Sequence, residues 1–276
     1  MNFRYVVSAG VLSALAAGAL AQQAPNASAP LAAEDMRRAI ASFMASGYLG
    51  REKVPDSLLL NPPPPARGTV EQIRDEEAAG AAVALRGTPR WDLARRDADL
   101  FSAQATDTFS CAAGFAISPQ TTPKLNTLLR RAAADMALGS YPTKNQYKRP
   151  RPFMVNGEPT CTPQDEAMLR QDGSYPSGHA AIGYGWGMLL AEMVPDRAAL
   201  LVARGRAFGD SRRVCNVHWL SDVEEGRVVA TAVVARLHAE PAFQKDLKAA
   251  QKEVAKQRGR LPAADCTLEN AALAAR

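Results

Sequence analysis

The chain has 276 residues, 47% of them apolar, and a formal net charge of +5. That is long enough for a sizeable hydrophobic core, and too mild a basic excess to mark a nucleic-acid binder. With only three histidines and four cysteines, none of them in a CxxC pair, the usual zinc-site patterns are missing.

Residues 1–21 read as a secretory signal. Arg4 supplies the positive charge, residues 5–17 are apolar, and Ala19-Leu20-Ala21 is a small-x-small cleavage site. The expected mature start is Gln22, and loss of Arg4 lowers the net charge by one, to +4. Residues 22–34 read as a flexible leader. A helical pattern covers 34–48, and the run Pro62-Pro63-Pro64-Pro65 excludes helix and marks a connection. A second helix is predicted over 70–85, with Glu71, Asp75, Glu76 and Glu77 on its outer face. One or two more are expected between Trp91 and Phe109. Ser118 to Pro123 then open a helix that runs through Leu125, Leu129 and Met136 and ends at Gly139. Residues 140–173 hold five prolines and read as a long loop, a length usually functional or disordered. The run Pro176-Ser177-Gly178-His179 opens a buried helix over 181–191, and further helices are expected over 196–208, 218–238 and 241–257. There is no sustained β alternation and no internal repeat. The expectation is an all-α single domain over 35–258, with a tail at 259–276. No membrane span would survive cleavage: the uncharged run 173–191 begins with Ser, Tyr, Pro, Ser and His, which suit a protein-lined site better than lipid.

Three clusters carry chemistry: Lys144 to Arg151, Pro176 to His179, and Ser211 to Asp222. Singly they are bland, since a basic run is usually a solvated loop and Ser-Gly before a helix is usually a cap. Together they supply the parts of a phosphoryl-transfer site. A phosphoryl group spreads negative charge over three oxygens, and catalysis is mainly positioning and cationic stabilisation of them. Arginine forks bind two such oxygens and lysine adds a point charge. Backbone N–H groups at a helix start receive an anion. The spacing of His218 and Asp222, i and i+4, would place both on one helical face, the carboxylate orienting the ring.

In order and spacing the clusters match Lys-x6-Arg-Pro, Pro-Ser-Gly-His and Ser-Arg-x5-His-x3-Asp. The chain here resembles the bacterial class A non-specific acid phosphatases of the type 2 phosphatidic acid phosphatase and vanadium haloperoxidase superfamily. Gly173-Ser174-Tyr175, His218-Trp219 followed by Ser221-Asp222, and the Pro62–Pro65 run resemble class A features, and the likeness covers roughly residues 55–258. Ala180 stands where that signature usually has Thr. The resemblance implies an all-helical fold with the site at helix ends, no metal or cofactor, and a covalent phosphohistidine. It makes His218 the nucleophile, Asp222 its orienter, and His179 the acid for the leaving alcohol and then the base for water. Lys144, Arg151 and Arg212 would hold the phosphoryl oxygens, with Ser177 and the Gly178 amide as further donors. Four cysteines in an exported chain allow two disulfides in three pairings. Cys161 and Cys215 lie beside the first and third motifs, and Cys111 and Cys266 look like the optional pair.

The expected activity is therefore hydrolysis of small phosphate monoesters with broad specificity, in the periplasm. No nucleic-acid or membrane partner is indicated, and a homo-oligomer is left open. A vanadate-dependent haloperoxidase would use nearly the same constellation. A non-catalytic anion-binding protein would use the cations but has no need of two histidines.

Overall fold

The computed structural model describes residues 33–257, 259–260 and 265–274. The signal sequence expected over 1–21, and the leader up to residue 32, lie outside them. The described residues form α-helices joined by turns and 3-10 segments, with no strand among them. Helices α1 (Ala33–Ala45), α2 (Gly50–Lys53) and α3 (Ser57–Leu60) lead through the polyproline run to α4 (Val70–Val83) and α5 (Pro89–Arg96). A short α6 (Ser110–Ala113) precedes α7 (Pro123–Gly139), and α8 (Tyr141–Tyr147), α9 (Pro152–Asn156) and α10 (Glu166–Leu169) follow. The long helices α11 (Gly178–Met193), α12 (Ala198–Val214), α13 (Leu220–Leu237) and α14 (Pro241–Gln257) come next, and α15 (Thr267–Ala274) is last.

Helix α11 is apolar almost all round, and a helix of that kind must be buried. It lies against α7, α12 and α13. Trp186, 1% exposed, donates its indole N–H to the Leu129 carbonyl at 2.7 Å. An unpaired buried donor there would cost about 1–3 kcal/mol. Helices α11 and α12 touch backbone to backbone. A Cβ on Gly187 would stand 2.7 Å from the Leu201 carbonyl oxygen, and one on Gly205 would stand 2.6 Å from that of Gly183. The Ala180 methyl fills the gap toward the neighbouring helices, 3.0 Å from a Cβ built on Gly209 and 2.9 Å from one built on Gly226. Larger side chains at these glycines would push the helices apart.

Four expectations change. The residues 140–173, expected as loop, carry α8, α9 and α10. Pro142, Pro152 and Pro163 each sit in a first helical turn, where the missing N–H costs nothing. Helix α12 runs past Phe208 to Val214, taking Ser211 and Arg212 into its last turn. Helix α13 starts at Leu220, so His218 lies outside it. Asp75 is not on an outer face. It is 1% exposed, and its carboxylate accepts from Arg149 and Ser221.

Disulfides join Cys161 to Cys215 and Cys111 to Cys266, with Cα–Cα distances of 4.7 and 5.8 Å. The first ties the stretch between α9 and α10 to the end of α12. The second leads into α15, which packs on α5 and buries Glu269 against Arg204 at 3.0 Å. Arg204 also binds Asp97, so α15 shares a buried ion-pair network with α12 and the end of α5.

Candidate active site

The three clusters converge on one cavity of about 150 Å³, lined by Lys144, Arg151, Gly178, His179, Arg212 and His218 among others. Local structure explains the motif spacings. Lys144 is on α8, whose C-cap Lys148 takes a left-handed conformation (φ 45°) that turns the chain so that Arg151 becomes the N-cap of α9. Ser177 caps α11 by accepting from the Ala180 N–H at 3.2 Å, leaving Gly178 and His179 as the first two helical residues. The Arg212 carbonyl accepts from the N–H groups of Val217 and His218 at 3.1 and 3.3 Å. Residues 215–217 are thus a turn that folds back on the end of α12. Asn216 takes the left-handed conformation (φ 61°) in that turn, which Asn tolerates better than most residues.

Hydrogen-bond partners assign the tautomer of His218. The Arg151 guanidinium can only donate, so His218 Nε2, 3.1 Å from Arg151 Nη1, is the acceptor. Nδ1 then carries the proton and donates it to Asp222 Oδ2 at 3.2 Å. The same oxygen accepts from the Trp219 N–H at 2.8 Å, the bond that N3 of a helix makes to its N-cap. The expected contact between His218 and Asp222 is therefore present, though not through a shared helical face. At His179 the partner is the Ala98 carbonyl, 3.1 Å from Nε2; a carbonyl only accepts, so Nε2 carries that ring's proton. Ser177 is fully buried, its N–H donating to the Asp222 carbonyl at 2.8 Å and so joining the starts of α11 and α13.

The cations are deeply placed. Lys144, Arg151 and Arg212 are 4, 1 and 2% exposed. Arg151 is well partnered, donating to the carbonyls of Leu169, Asp172 and Val217 and to the Asp172 carboxylate. Arg212 is not: its Nε and Nη1 are buried without a hydrogen-bond partner. Buried donors are rarely left so, and on the wall of a cavity they suit an anion. Burial brings the Lys144 ammonium down to about 8. Burial, and then the neighbouring Arg151, bring Arg212 down to about 10. The same two causes hold the His218 imidazole well below the ordinary histidine range. His179 is lowered by burial and then by Arg212. Among the described residues, no three His, Cys, Asp or Glu side chains converge as metal ligands.

The neutral His218 has a thermodynamic signature. It stays unprotonated in the fold, whereas in the unfolded chain it binds a proton below about pH 6.5. Unfolding then takes up that proton, so stability falls as the pH drops below 6.5, by up to about 1.4 kcal/mol per pH unit. Denaturant midpoints between pH 7.5 and 5 should fall more steeply for the wild type than for His218→Asn. Parallel slopes would show that His218 is charged in the fold.

Several contributors were not visible in the sequence motifs. Asp172 partly neutralises Lys144 and Arg151, at 3.4 and 3.1 Å. Arg149, inside the first motif but outside its signature, pairs with Asp222 at 2.6 Å. The outer wall of the cavity is apolar, built by Ile40, Phe43 and Met44 of α1 together with Leu100, Phe101 and Met168. No spacing rule links these six.

An all-α fold thus brings buried cations and a histidine–carboxylate pair together at helix ends, an arrangement suited to binding an anion. A family model described as the PAP2 superfamily matches residues 126–243, which include every cavity cation and both histidines. The chain is 40% identical over 203 residues to an acid phosphatase of Zymomonas mobilis subsp. mobilis, covering 74% of this chain and 77% of that one. It is 39% identical to a non-specific acid phosphatase of Providencia stuartii, covering 76% and 85%. A non-specific acid phosphatase of Salmonella typhimurium is 40% identical, with coverage of 70% and 78%. The chain belongs to the PAP2 superfamily and, within it, to the class A non-specific acid phosphatases. It is an acid phosphatase.

Proposed function

We propose that this acid phosphatase hydrolyses small phosphate monoesters of broad variety, without a metal ion, through a phosphohistidine on His218. The observation that carries the reading is the buried neutral imidazole, its Nδ1–H on Asp222 and its Nε2 lone pair beside Arg151, on a cavity wall shared with the unpartnered Arg212 donors. Lys144, Arg151, Arg212, Ser177 and the Gly178 amide bind the phosphoryl oxygens. His218 Nε2 attacks phosphorus while the bond to the leaving oxygen breaks, and His179 hands that oxygen a proton. Neutral His179 then takes a proton from water as the water oxygen attacks phosphorus and the N–P bond breaks. Burial and then Arg212 lower His179. A phosphate dianion bound beside it opposes both causes, so the acid is charged when the substrate is present. Asp222 balances the positive charge that appears on the phosphorylated ring.

We place the enzyme in the periplasm, delivered by residues 1–21. Two disulfides support an oxidising compartment, and no helix among the described residues is long and apolar enough to cross a membrane. One series of measurements tests the whole reading on osmotic-shock fluid and on purified protein. Nitrophenyl phosphate hydrolysis should be released with the periplasm, persist in excess chelator, and be inhibited competitively by orthovanadate, a mimic of five-coordinate phosphorus. Loss of activity on chelation, restored by a divalent metal, would overturn the metal-free mechanism. Activity retained in spheroplasts would overturn the location.

A further inference from the structure

We propose that Arg149 and Asp75 are positioning residues for the reaction: they hold Asp222 in place, and through it aim His218. The inference rests on the phosphohistidine reading above. Arg149 is 7% exposed and is not on the cavity wall, unlike Lys144, Arg151 and Arg212. Its two terminal nitrogens are already fully engaged. Nη1 donates to Asp222 Oδ1 at 2.6 Å and Ser221 Oγ at 2.8 Å, and Nη2 donates to Asp75 Oδ2 and Gln72 Oε1, both at 2.7 Å. The guanidinium lies 5.3 Å from the Trp219 ring centroid and 6.0 Å from that of Tyr175. Both terminal nitrogens are thus committed away from the cavity, and neither has an N–H left for a substrate oxygen.

What it does instead follows from charge. Asp75 and Asp222 are 1% and 0% exposed, and both face the same guanidinium. Without that cation the two carboxylates would lose the group that holds them together, and Asp222 Oδ1 would lose its charged partner. Asp75 adds a mechanical hold. Its Oδ1 accepts from the Ser221 N–H at 2.8 Å, in the first turn of α13, and its Oδ2 accepts from the Ser221 hydroxyl at 2.6 Å. Helix α4 thereby caps α13 from outside and fixes the turn that presents Asp222. The triplet of Asp75, Arg149 and Asp222 carries one net negative charge, matching the one positive charge that the His218 ring gains on phosphorylation.

The chain has three histidines, so ring 15N NMR of 15N-histidine-labelled protein reads each one separately. Arg149→Gln should lower kcat on nitrophenyl phosphate by about 10²-fold with KM changed less than about threefold, within the range for losing a histidine's carboxylate. It should also move the His218 ring resonances while those of His238, paired with Glu192 elsewhere, stay in place. Arg149→Lys, which keeps the charge, should recover about tenfold of the loss. Asp75→Asn should shift His218 in the same sense with a smaller fall in kcat. Should Arg149→Gln fail to fold, Ser221→Ala keeps all three charges and removes only the hydroxyl shared by Arg149 and Asp75. It should then lower kcat about three- to tenfold, again with a His218 shift. Unchanged His218 resonances in these variants, or wild-type kcat, would overturn the proposal. The NMR readout is taken on free protein, so a failure to trap phosphate on His218 would overturn the phosphohistidine reading, whereas unmoved His218 resonances would overturn only the positioning by Arg149 and Asp75.

Discussion

His218→Ala should abolish turnover, lowering kcat by about 10⁶, the scale seen when a catalytic nucleophile or its base is removed. The reason is specific to a covalent route. Without Nε2 no phosphoryl acceptor stands opposite the leaving oxygen, and water has no prepared way in. Rapid mixing with ³²P-labelled substrate, quenched in denaturant at alkaline pH where a phosphoramidate survives, should leave label on the wild type and none on His218→Ala. Asp222→Asn should fold and still bind phosphate, yet lose about 10²–10⁴ in kcat. An asparagine at N3 can still accept from the Trp219 N–H but cannot balance a charged ring. Label found on another residue would reassign the nucleophile. A fully active His218→Ala would remove the mechanism altogether.

The second large effect depends on the substrate. Breaking a P–O bond builds negative charge on the leaving oxygen, and an alkyl alcohol needs a proton in that transition state far more than a nitrophenolate does. His179→Ala should therefore slow phosphorylation by an alkyl or sugar phosphate by about 10²–10⁴ and leave that by nitrophenyl phosphate much less affected. Pre-steady-state bursts separate this step from dephosphorylation, where the same residue serves as base for every substrate. Equal losses in the phosphorylation step across a series of leaving groups would reduce His179 to a phosphate contact.

The cations and histidines that line the candidate site are legible in the sequence because its parts are local. A proline-serine-glycine start, a basic run and a His-x3-Asp spacing each dictate what a few neighbouring residues can do. The contact of His218 with Asp222 was anticipated for the wrong reason. Helix α13 begins only at Leu220, and the carboxylate folds back along its own first turn. Asp75 was misread because Glu71, Asp75, Glu76 and Glu77 look like a solvated face. Its burial is decided by Arg149, which is 74 residues away. Likewise, the prolines of 140–173 punctuate a chain equally well as breakers or as first-turn residues, and only packing decides between them. The cysteine pairing was open among three arrangements until the fold brought Cys161 to Cys215 and Cys111 to Cys266.

The glycine-paved crossing of α11 and α12 has a consequence for how such an enzyme diversifies. Because these helices meet through backbone atoms at Gly187 and Gly205, and Phe208 of α12 fills the space beside Gly183 and stacks on His179 at 6.5 Å, the spacing between His179 and Arg212, carried near their ends, is held fixed. The entrance is of another kind. Phe43 and Phe101, which meet edge to face at 5.6 Å, are partly exposed and stand on α1 and on the segment following α5. Exchanges among such residues are expected to change which alcohol fits, which a panel of alkyl and aryl phosphates tested on Phe43→Ala and Phe101→Ala would read. An old chemistry can in this way acquire new clients, with its machinery held to one gauge.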